Sequence, residues 1–302
     1  MKAVQFKEYG GPEVLEVVQV AEPHAGPGQV RIKVRAAAVN PADYKTRAGY
    51  MRDFRPLDLP SGLGAEGSGI VDEVGEGVTD VAVGDAVFGL GFQIFAEYGV
   101  LGVWARKPEK MSFEEAAAIA SSAEVSTRLL NLVGAKAGQT LLVSGAAGGA
   151  GTGVVQLARR RGLTVIGTAT EAKHDYLRSI GAVPTTYGPG LVERVKALAP
   201  NGVDAAFDMV GSGVIEELVE ITGDPKKVAT ILIAESKKVE GVQSTFAASP
   251  NAKQALEDVA KAFEDGAFRM RVDQTFPLEK TGEATRVVSE KRTTGKNVVV
   301  VS

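Results

Sequence analysis

LLVSGAAGGAGTGVVQLARRRG, residues 141–162, says most about the architecture of this 302-residue chain. The apolar run Leu141–Val143 predicts a short strand. A turn follows with four glycines within seven residues, at Gly145, Gly148, Gly149 and Gly151. The pattern then becomes helical, since apolar side chains recur on one helix face at Val154, Leu157 and Ala158. The stretch therefore predicts a strand, a glycine-rich turn and a helix in immediate succession.

These three parts, in this order, form the phosphate-binding portion of dinucleotide sites. Glycines permit tight turning and a close approach of the backbone to a pyrophosphate, and the helix N-terminus offers unpaired N–H groups. Glycines also occur in ordinary loops, but the strand before the turn and the helix after it favour binding. The predicted pyrophosphate contacts are the residues of the turn: Gly145, Ala146, Gly148, Gly149, Ala150 and Gly151.

Composition indicates a soluble globular protein of about two domains. Hydrophobic residues make up 44% of the chain, charged residues make up 24%, and the net charge is −3. This balance gives no general attraction to nucleic acid or to an anionic membrane. No apolar run reaches the length of a membrane span, and residues 1–11 lack the apolar core of a signal peptide. We expect a cytoplasmic protein that binds neither membrane nor nucleic acid.

The chain has no cysteine and two histidines, His24 and His174. Disulfides, thiolate nucleophiles and cysteine-ligated metals are therefore excluded. His24 lies in a Pro/Gly-rich segment typical of an exposed loop, and neither histidine has the other at ligand spacing. We expect the chemistry to come from a bound organic cofactor, without a metal.

The first third of the chain is predicted to be rich in β-strands. Apolar and polar side chains alternate over Gln29–Arg35, which is the period of a half-buried antiparallel strand. Gly- and Pro-containing turns separate further predicted strands at Lys2–Phe6, Leu15–Val20, Gly69–Val74 and Asp85–Phe88. Several short strands with turns between them indicate a barrel-like β domain.

Strands and helices alternate from Gln139 onward, which predicts a parallel sheet with helices on both faces. A capping box at Ser112 and Glu115 marks the start of the preceding helical run. The predicted strands are Thr140–Val143, Leu163–Thr168, Pro184–Tyr187, Val203–Asp208 and Val228–Ala234. Beyond these strands, a helix is predicted at Ala252–Asp265 and an apolar strand at Val298–Val301.

The residues after the second predicted strand of this half bear on the choice of cofactor. NAD sites commonly place an acidic residue at this strand tip, where it binds the ribose hydroxyls. The segment has no Asp at the tip, and Thr168, Thr170 and Lys173 offer hydroxyl and ammonium contacts to a 2′-phosphate. Glu171 is the contrary signal, although a helix first turn also favours acids. We expect NADPH rather than NADH.

Several short motifs follow one another in a specific order along nearly the whole chain. They are Val39–Asp43, Gly64–Val71, Val83–Val87, Ala96–Tyr98, the Gly145–Gly151 turn, Gly181–Ala182, Asp204–Gly211 and Gly295–Val298. Each motif is common by itself. Together they resemble the medium-chain dehydrogenase/reductase superfamily, in its zinc-independent quinone oxidoreductase (zeta-crystallin-like) branch.

This resemblance implies an α/β fold with two domains. A GroES-like β-barrel catalytic domain would comprise residues 1–120 and 246–302, and a Rossmann domain with a doubly wound parallel sheet would comprise residues 121–245. A homodimer is also implied, through the edge strand near Val242–Ala247. The segment between Ala234 and Ala252 is short for the family, in which that region often shapes the substrate cleft or the subunit contact.

The resemblance also implies that no catalytic zinc is bound. Zinc-dependent relatives carry a cysteine where Asn40 stands and a histidine where Ala65 stands, although Glu66 remains. The four clustered cysteines of the structural zinc lobe are absent as well.

Site residues follow from the resemblance position by position. Asn40 and Asp43 match the floor of the active cleft near the nicotinamide, and Tyr50 lies one residue before the catalytic tyrosine of related enoyl reductases. Ser126 matches a threonine close to the cofactor. The implied contacts to a 2′-phosphate are Lys173, Tyr187 and one basic residue, either Lys291 or Arg292. Structural roles stay open: Asn40 suits a turn, Asp43 a helix cap and Tyr50 a packing site.

The predicted activity is hydride transfer from NADPH to a quinone or an α,β-unsaturated carbonyl compound. A conjugated acceptor needs modest help, because the negative charge delocalises onto its oxygen, whereas alcohol oxidation needs a stronger Lewis acid. A tyrosine or water would supply the proton. Two alternatives are a pathway-specific enoyl reductase of the polyketide or fatty-acid type and a dinucleotide-binding protein with a regulatory role.

Overall fold

The computed structural model describes residues 1–53, 56–244 and 249–302. They form two compact units, one comprising Met1–Ser121 with Ala252–Ser302 and the other Ser122–Asn251. The predicted domain boundary between residues 245 and 246 lies outside the described residues, as does part of the predicted dimer edge. No helix of the described chain is long and apolar enough to span a membrane.

The strands and helices are numbered in chain order. The strands are β1 (Lys2–Phe6), β2 (Glu16–Gln19), β3 (Val30–Val39), β4 (Ser61–Gly62), β5 (Glu66–Val74), β6 (Ala86–Phe92), β7 (Tyr98–Arg106), β8 (Thr140–Ser144), β9 (Thr164–Thr168), β10 (Val183–Thr185), β11 (Ala205–Asp208), β12 (Val228–Thr230), β13 (Gln243–Ser244), β14 (Val272–Pro277) and β15 (Lys296–Val300). The helices are α1 (Pro41–Arg47), α2 (Phe113–Ala117), α3 (Ala120–Leu132), α4 (Gly149–Arg160), α5 (His174–Ser179), α6 (Leu191–Leu198), α7 (Ile215–Thr222), α8 (Ile233–Ser236), α9 (Ala252–Glu264) and α10 (Thr281–Ser289).

Strand β3 organises the first unit. Its predicted alternation is confirmed: Val30, Ile32 and Val34 are buried, whereas Lys33 and Arg35 are exposed. The strand pairs antiparallel with β5, and its first residues pair with β7 as well, so β3, β5, β6 and β7 close into a barrel. Closure pairs each of these four strands on both sides and encloses an apolar core.

The C-terminal strand joins the same sheet as β3. Strand β15 pairs antiparallel with the second half of β3, and β14 pairs parallel with β15. The two ends of the chain therefore build one unit, because β15 contributes its buried valines Val298 and Val299 to the interior of a sheet begun by residues 30–39.

The second unit contains the predicted parallel sheet. Its strand order is β10-β9-β8-β11-β12-β13, and each strand pairs parallel with its neighbours. The chain runs outward in one direction from β8 to β10 and in the other from β11 to β13. The strand order therefore reverses between β8 and β11, the kind of point at which open α/β sheets bind ligands. Strand β13 is an edge strand, and the homodimer through this region stays a prediction.

Two sequence predictions of local structure need correction. The strand predicted at Val228–Ala234 ends at Thr230, and α8 begins three residues later. The capping box at Ser112 is only half formed, since the Glu115 N–H donates to Ser112 Oγ (3.0 Å) but the Glu115 carboxylate accepts from the Met270 N–H (2.8 Å). A distant backbone donor thus holds the carboxylate that the local motif would have used.

Gly69 in β5 is a position at which the barrel has no room for a side chain. A Cβ there would lie 2.2 Å from the Lys33 carbonyl oxygen, so Gly69→Ala forces β3 and β5 apart. We expect the free energy of unfolding to fall by about 1–3 kcal/mol, the usual effect of overpacking. Gly102→Ala in β7 is the control, because its Cβ meets nothing within 4 Å. Denaturant unfolding of both variants checks this, and equal effects would contradict it.

Candidate functional site

The glycine turn of the second unit is tied to the neighbouring strand. Gly145 follows β8 with φ +77°, and its N–H donates to Thr168 Oγ1 at 3.1 Å. The Ala146 N–H donates to the Thr168 carbonyl oxygen, also at 3.1 Å. Thr168 is 1% exposed. Its side chain holds the turn against β9, and a contact of Thr168 with a 2′-phosphate stays a prediction.

The turn and the start of α4 fit a pyrophosphate. A Cβ on Gly151 would lie 2.3 Å from the Gly145 carbonyl oxygen, so only glycine permits this close packing. A Cβ on Gly148 would meet only the Gly145 oxygen, at 3.6 Å, so the outer side of the turn is open. Gly149, Ala150 and Gly151 form the first turn of α4, where N–H groups lack intrahelical acceptors and the helix dipole is positive.

Ser126 lies in α3, packed closely on α4. A Cβ on Gly153 would lie 2.7 Å from Ser126 Oγ and 2.2 Å from Ser122 Oγ. Ser122 Oγ donates to the Gly149 carbonyl oxygen at 2.8 Å, whereas the buried Ser126 Oγ has no hydrogen-bond partner among the described residues. A buried hydroxyl without a partner is costly, and a bound polar group would satisfy it. This observation fits the predicted cofactor contact.

The remaining predicted contacts of the second unit follow β9 and β10. These strands are parallel neighbours, with Thr168 opposite Thr185, so the residues after them lie at the same sheet edge. Thr170 is exposed, Lys173 is partly buried and Tyr187 is 60% exposed. The topology explains how Tyr187 becomes available at the same edge as Thr170 and Lys173.

A buried polar cluster in the first unit surrounds Asn40, and we call its four members, Asn40, Glu66, Ser121 and Lys296, the Glu66 cluster. Glu66 Oε1 accepts from Asn40 Nδ2 (2.9 Å), Ser121 Oγ (2.6 Å) and Lys296 Nζ (2.6 Å). Glu66 Oε2 accepts from the Ser121 N–H at 2.7 Å. The side chains of Glu66 and Lys296 are 0% and 7% exposed. The cluster is thus an ion pair removed from water and satisfied by hydrogen bonds.

Elements from distant parts of the chain position this cluster. Asn40 follows β3, Glu66 begins β5, Lys296 begins β15 and Ser121 lies in the first turn of α3. Sequence reasoning noted Glu66 but missed Lys296 and Ser121 as candidates. A signal existed for Lys296, since it is a charged residue of the Gly295–Val298 motif, two positions before the apolar run Val298–Val301.

Asp43 performs the structural role that the sequence left open. Its carboxylate accepts from the backbone N–H groups of Asn40 (2.6 Å) and Gly64 (3.2 Å), and the residue is 4% exposed. Burial raises the pKa of Asp43 to about 7, against the opposing effects of these backbone donors and of the Lys296 ammonium. Contact of Asp43 with a substrate stays a prediction.

The other predicted residues of the first unit lie at the surface. Tyr50 is 76% exposed in the turn after α1, and no bond joins it to the Glu66 cluster within the described chain. Lys291 and Arg292 are exposed in the turn before β15, and Lys291 has φ +57°. Roles for Tyr50 in proton transfer and for Arg292 or Lys291 in phosphate binding stay predictions.

The donor set around Asn40 does not favour a metal. The positions of the expected zinc ligands hold an amide, Asn40, and an exposed methyl group, Ala65. Within residues 1–53, 56–244 and 249–302, no group of three or more His, Asp or Glu side chains is arranged to hold a metal ion.

Asp43 predicts a pH dependence of stability. Between its ordinary pKa near 3.8 and its folded value of about 7, the folded protein holds more protons than the unfolded one, so rising pH lowers stability over this range. A difference of one in pKa between the two states corresponds to about 1.4 kcal/mol. We expect the free energy of unfolding to fall from pH 4 to 7 more steeply in the wild type than in Asp43→Asn. Denaturant unfolding at several pH values measures this, and parallel curves would contradict it.

Comparisons with known proteins agree with this architecture. Residues 26–107 match the family model described as alcohol dehydrogenase GroES-like domain, and residues 183–299 match the one described as zinc-binding dehydrogenase. The predicted fold class, a GroES-like β domain with a Rossmann-type parallel sheet, is confirmed.

Three relatives illustrate the similarity. A quinone oxidoreductase of Pseudomonas aeruginosa is 32% identical over 329 residues, covering 99% of each chain. The pikromycin polyketide synthase component PikAII of Streptomyces venezuelae is 33% identical over 298 residues, which are 91% of this chain and 8% of that protein. A mycobacterial protein solved in complex with NADPH superposes with a TM-score of 0.84 at 26% identity, covering 99% of this chain and 100% of the other. The chain belongs to the medium-chain dehydrogenase/reductase superfamily of oxidoreductases, in its quinone oxidoreductase-like branch.

Proposed function

We propose that this protein is a metal-independent, NADPH-dependent reductase of quinones or α,β-unsaturated carbonyl compounds. The observation that carries the proposal is the composition of the Glu66 cluster. Where a zinc-dependent relative needs a thiolate and an imidazole, this chain has the amide of Asn40 and, beside it, the Lys296 ammonium 2.6 Å from Glu66 Oε1. The Lys296 ammonium already neutralises the Glu66 carboxylate. A metal dication placed against Glu66 would be repelled by this ammonium.

The residues of the second unit support NADPH as the cofactor. The Gly145–Gly151 turn and the start of α4 would hold the pyrophosphate, and Ser126 would contact the cofactor with its unpartnered hydroxyl. Thr170, Lys173 and Tyr187 would hold the 2′-phosphate by hydroxyl and cationic contacts. When bound, NADPH supplies the hydride.

The protein's own contribution is to bind and polarise the acceptor. As hydride arrives at carbon, negative charge develops on the acceptor oxygen, and an N–H donor aimed at that oxygen lowers the barrier. Asn40 is partly exposed at the edge of the Glu66 cluster and carries such a donor. Either Tyr50 or water then supplies the proton to the reduced product.

Polyketide synthase similarity favours a second candidate, a carrier-linked enoyl reductase. That reaction uses the same hydride chemistry on an α,β-unsaturated thioester, so the Glu66 cluster serves both candidates equally. The chain matches only 8% of the polyketide synthase, and carrier recognition would need surface contacts outside this cluster. The two candidates differ in which acceptor turns over fastest.

A panel of acceptors tests the proposed function directly. We expect the purified protein to oxidise NADPH with quinones and short enones, and to leave saturated ketones unreduced, because only conjugated acceptors spread the developing charge. NADPH absorbance measures each rate, with alcohols plus NADP⁺ as the reverse assay. Faster turnover of enoyl thioesters would favour the second candidate. Turnover of alcohols alone would overturn the proposal, and NADPH binding with no acceptor reduced would favour a regulatory protein.

Lys173 tests the preference for NADPH over NADH. Loss of one charge-assisted contact to the 2′-phosphate weakens NADPH binding about tenfold in Lys173→Ala and leaves NADH binding unchanged. Titration of each cofactor by calorimetry measures both affinities. Lys196→Ala, an exposed lysine of α6 in the same unit, is the matched control. Equal losses for the two cofactors would argue against phosphate recognition by Lys173.

A further inference from the structure

The hydrogens of the Glu66 cluster can be assigned one by one. Lys296 Nζ donates to Asn40 Oδ1, to Glu66 Oε1 (2.6 Å) and to Ser121 Oγ (3.1 Å), which uses all three of its hydrogens. The Ser121 hydroxyl donates to Glu66 Oε1 at 2.6 Å. The buried cation and the buried anion are therefore bound to each other and to the same two neutral side chains.

This arrangement selects one orientation of the Asn40 amide. The carbonyl oxygen faces the Lys296 ammonium, and Nδ2 donates to Glu66 Oε1 at 2.9 Å. The flipped amide would place its hydrogens against an ammonium and its oxygen against a carboxylate, so both contacts would become repulsive. Because the two charges are nearly free of water, this electrostatic preference is strong.

The selected orientation leaves one specific group available. One Nδ2 hydrogen is bound to Glu66, and the second has no partner among the described residues. Asn40 is partly exposed and lies next to a buried ion pair, so the group it offers outward is an N–H donor and not a carbonyl acceptor.

We propose that Lys296 is a positioning residue that, with Glu66, locks the Asn40 amide so that its free N–H points to the acceptor oxygen of the substrate. The inference rests on the proposed function and deepens it. The site then selects substrates, such as quinones and enones, whose carbonyl oxygen accepts a hydrogen bond from Asn40 and takes up the negative charge that develops during reduction. Lys296 acts through Asn40 and does not touch the substrate.

A double-mutant cycle on kcat separates positioning from a merely structural role. Asn40→Ala removes the donor and lowers kcat about 100-fold, as loss of one oxyanion donor does. Lys296→Met releases the amide and lowers kcat about tenfold, while KM for NADPH stays within about twofold, because ground-state cofactor binding does not use this donor. The double variant should fall no further than Asn40→Ala alone, because Lys296 has nothing left to position. Independent effects would multiply to about 1,000-fold and would overturn the proposal.

Two further variants keep the result interpretable. Lys296→Met leaves Glu66 buried without its cation, so Glu66→Gln/Lys296→Met provides a charge-neutral version of the cluster and should show the same cycle with Asn40→Ala. Arg31→Met removes a different, largely buried ion pair of the same unit, in which Arg31 binds Asp72 at 2.8 Å, and should lower stability without lowering kcat.

The outcomes distinguish this inference from the function on which it rests. A wild type that reduces no conjugated acceptor overturns the proposed function and this role of Lys296 with it. A wild type that reduces quinones or enones, with variants whose losses multiply or with Lys296→Met at wild-type kcat, overturns the role of Lys296 alone. Losses of kcat that do not multiply, together with an unchanged kcat in Arg31→Met, support the positioning role of Lys296.

Discussion

The ion pair between Glu66 and Lys296 is the constraint around which the first unit is arranged. Two charges with 0% and 7% exposed side chains are stable only if each is fully hydrogen-bonded, since desolvation otherwise exceeds their attraction. The partners come from β5 and β15, and the neutral groups that complete the network come from the end of β3 and the start of α3. The hydrogen-bond partners of one buried carboxylate thus come from the first half of the chain and from its C-terminal strand. The sheet around β3 brings these two parts together.

Backbone proximity plays the corresponding role in the second unit. Gly151 packs where a Cβ would lie 2.3 Å from the Gly145 carbonyl oxygen, and Thr168 holds the same turn through Gly145 and Ala146. The turn is therefore held by strands β8 and β9 together and not by glycine flexibility alone. A turn held in place in this way would lose little conformational entropy when a charged group binds to it.

Local patterns were sufficient for most of the architecture. The alternation at Val30, Ile32 and Val34 predicted a half-buried strand, and the parallel sheet of the second unit followed from alternating strands and helices. Predictions failed where a distant partner competed with a local one. Glu115 bonds to Met270 instead of completing its capping box.

The sequence by itself determined the two architectures, the glycine turn and the absence of the thiolate and imidazole that a catalytic zinc would need, because periodicity, glycine spacing and residue identity are local properties. Only the tertiary structure decided the environment of Asn40. Its partner Lys296 lies 256 residues away in sequence, and Lys296 lies 230 residues from Glu66. No local pattern encodes such a contact, since it exists only when strands from both ends of the chain exclude water from two opposite charges that must then bind each other.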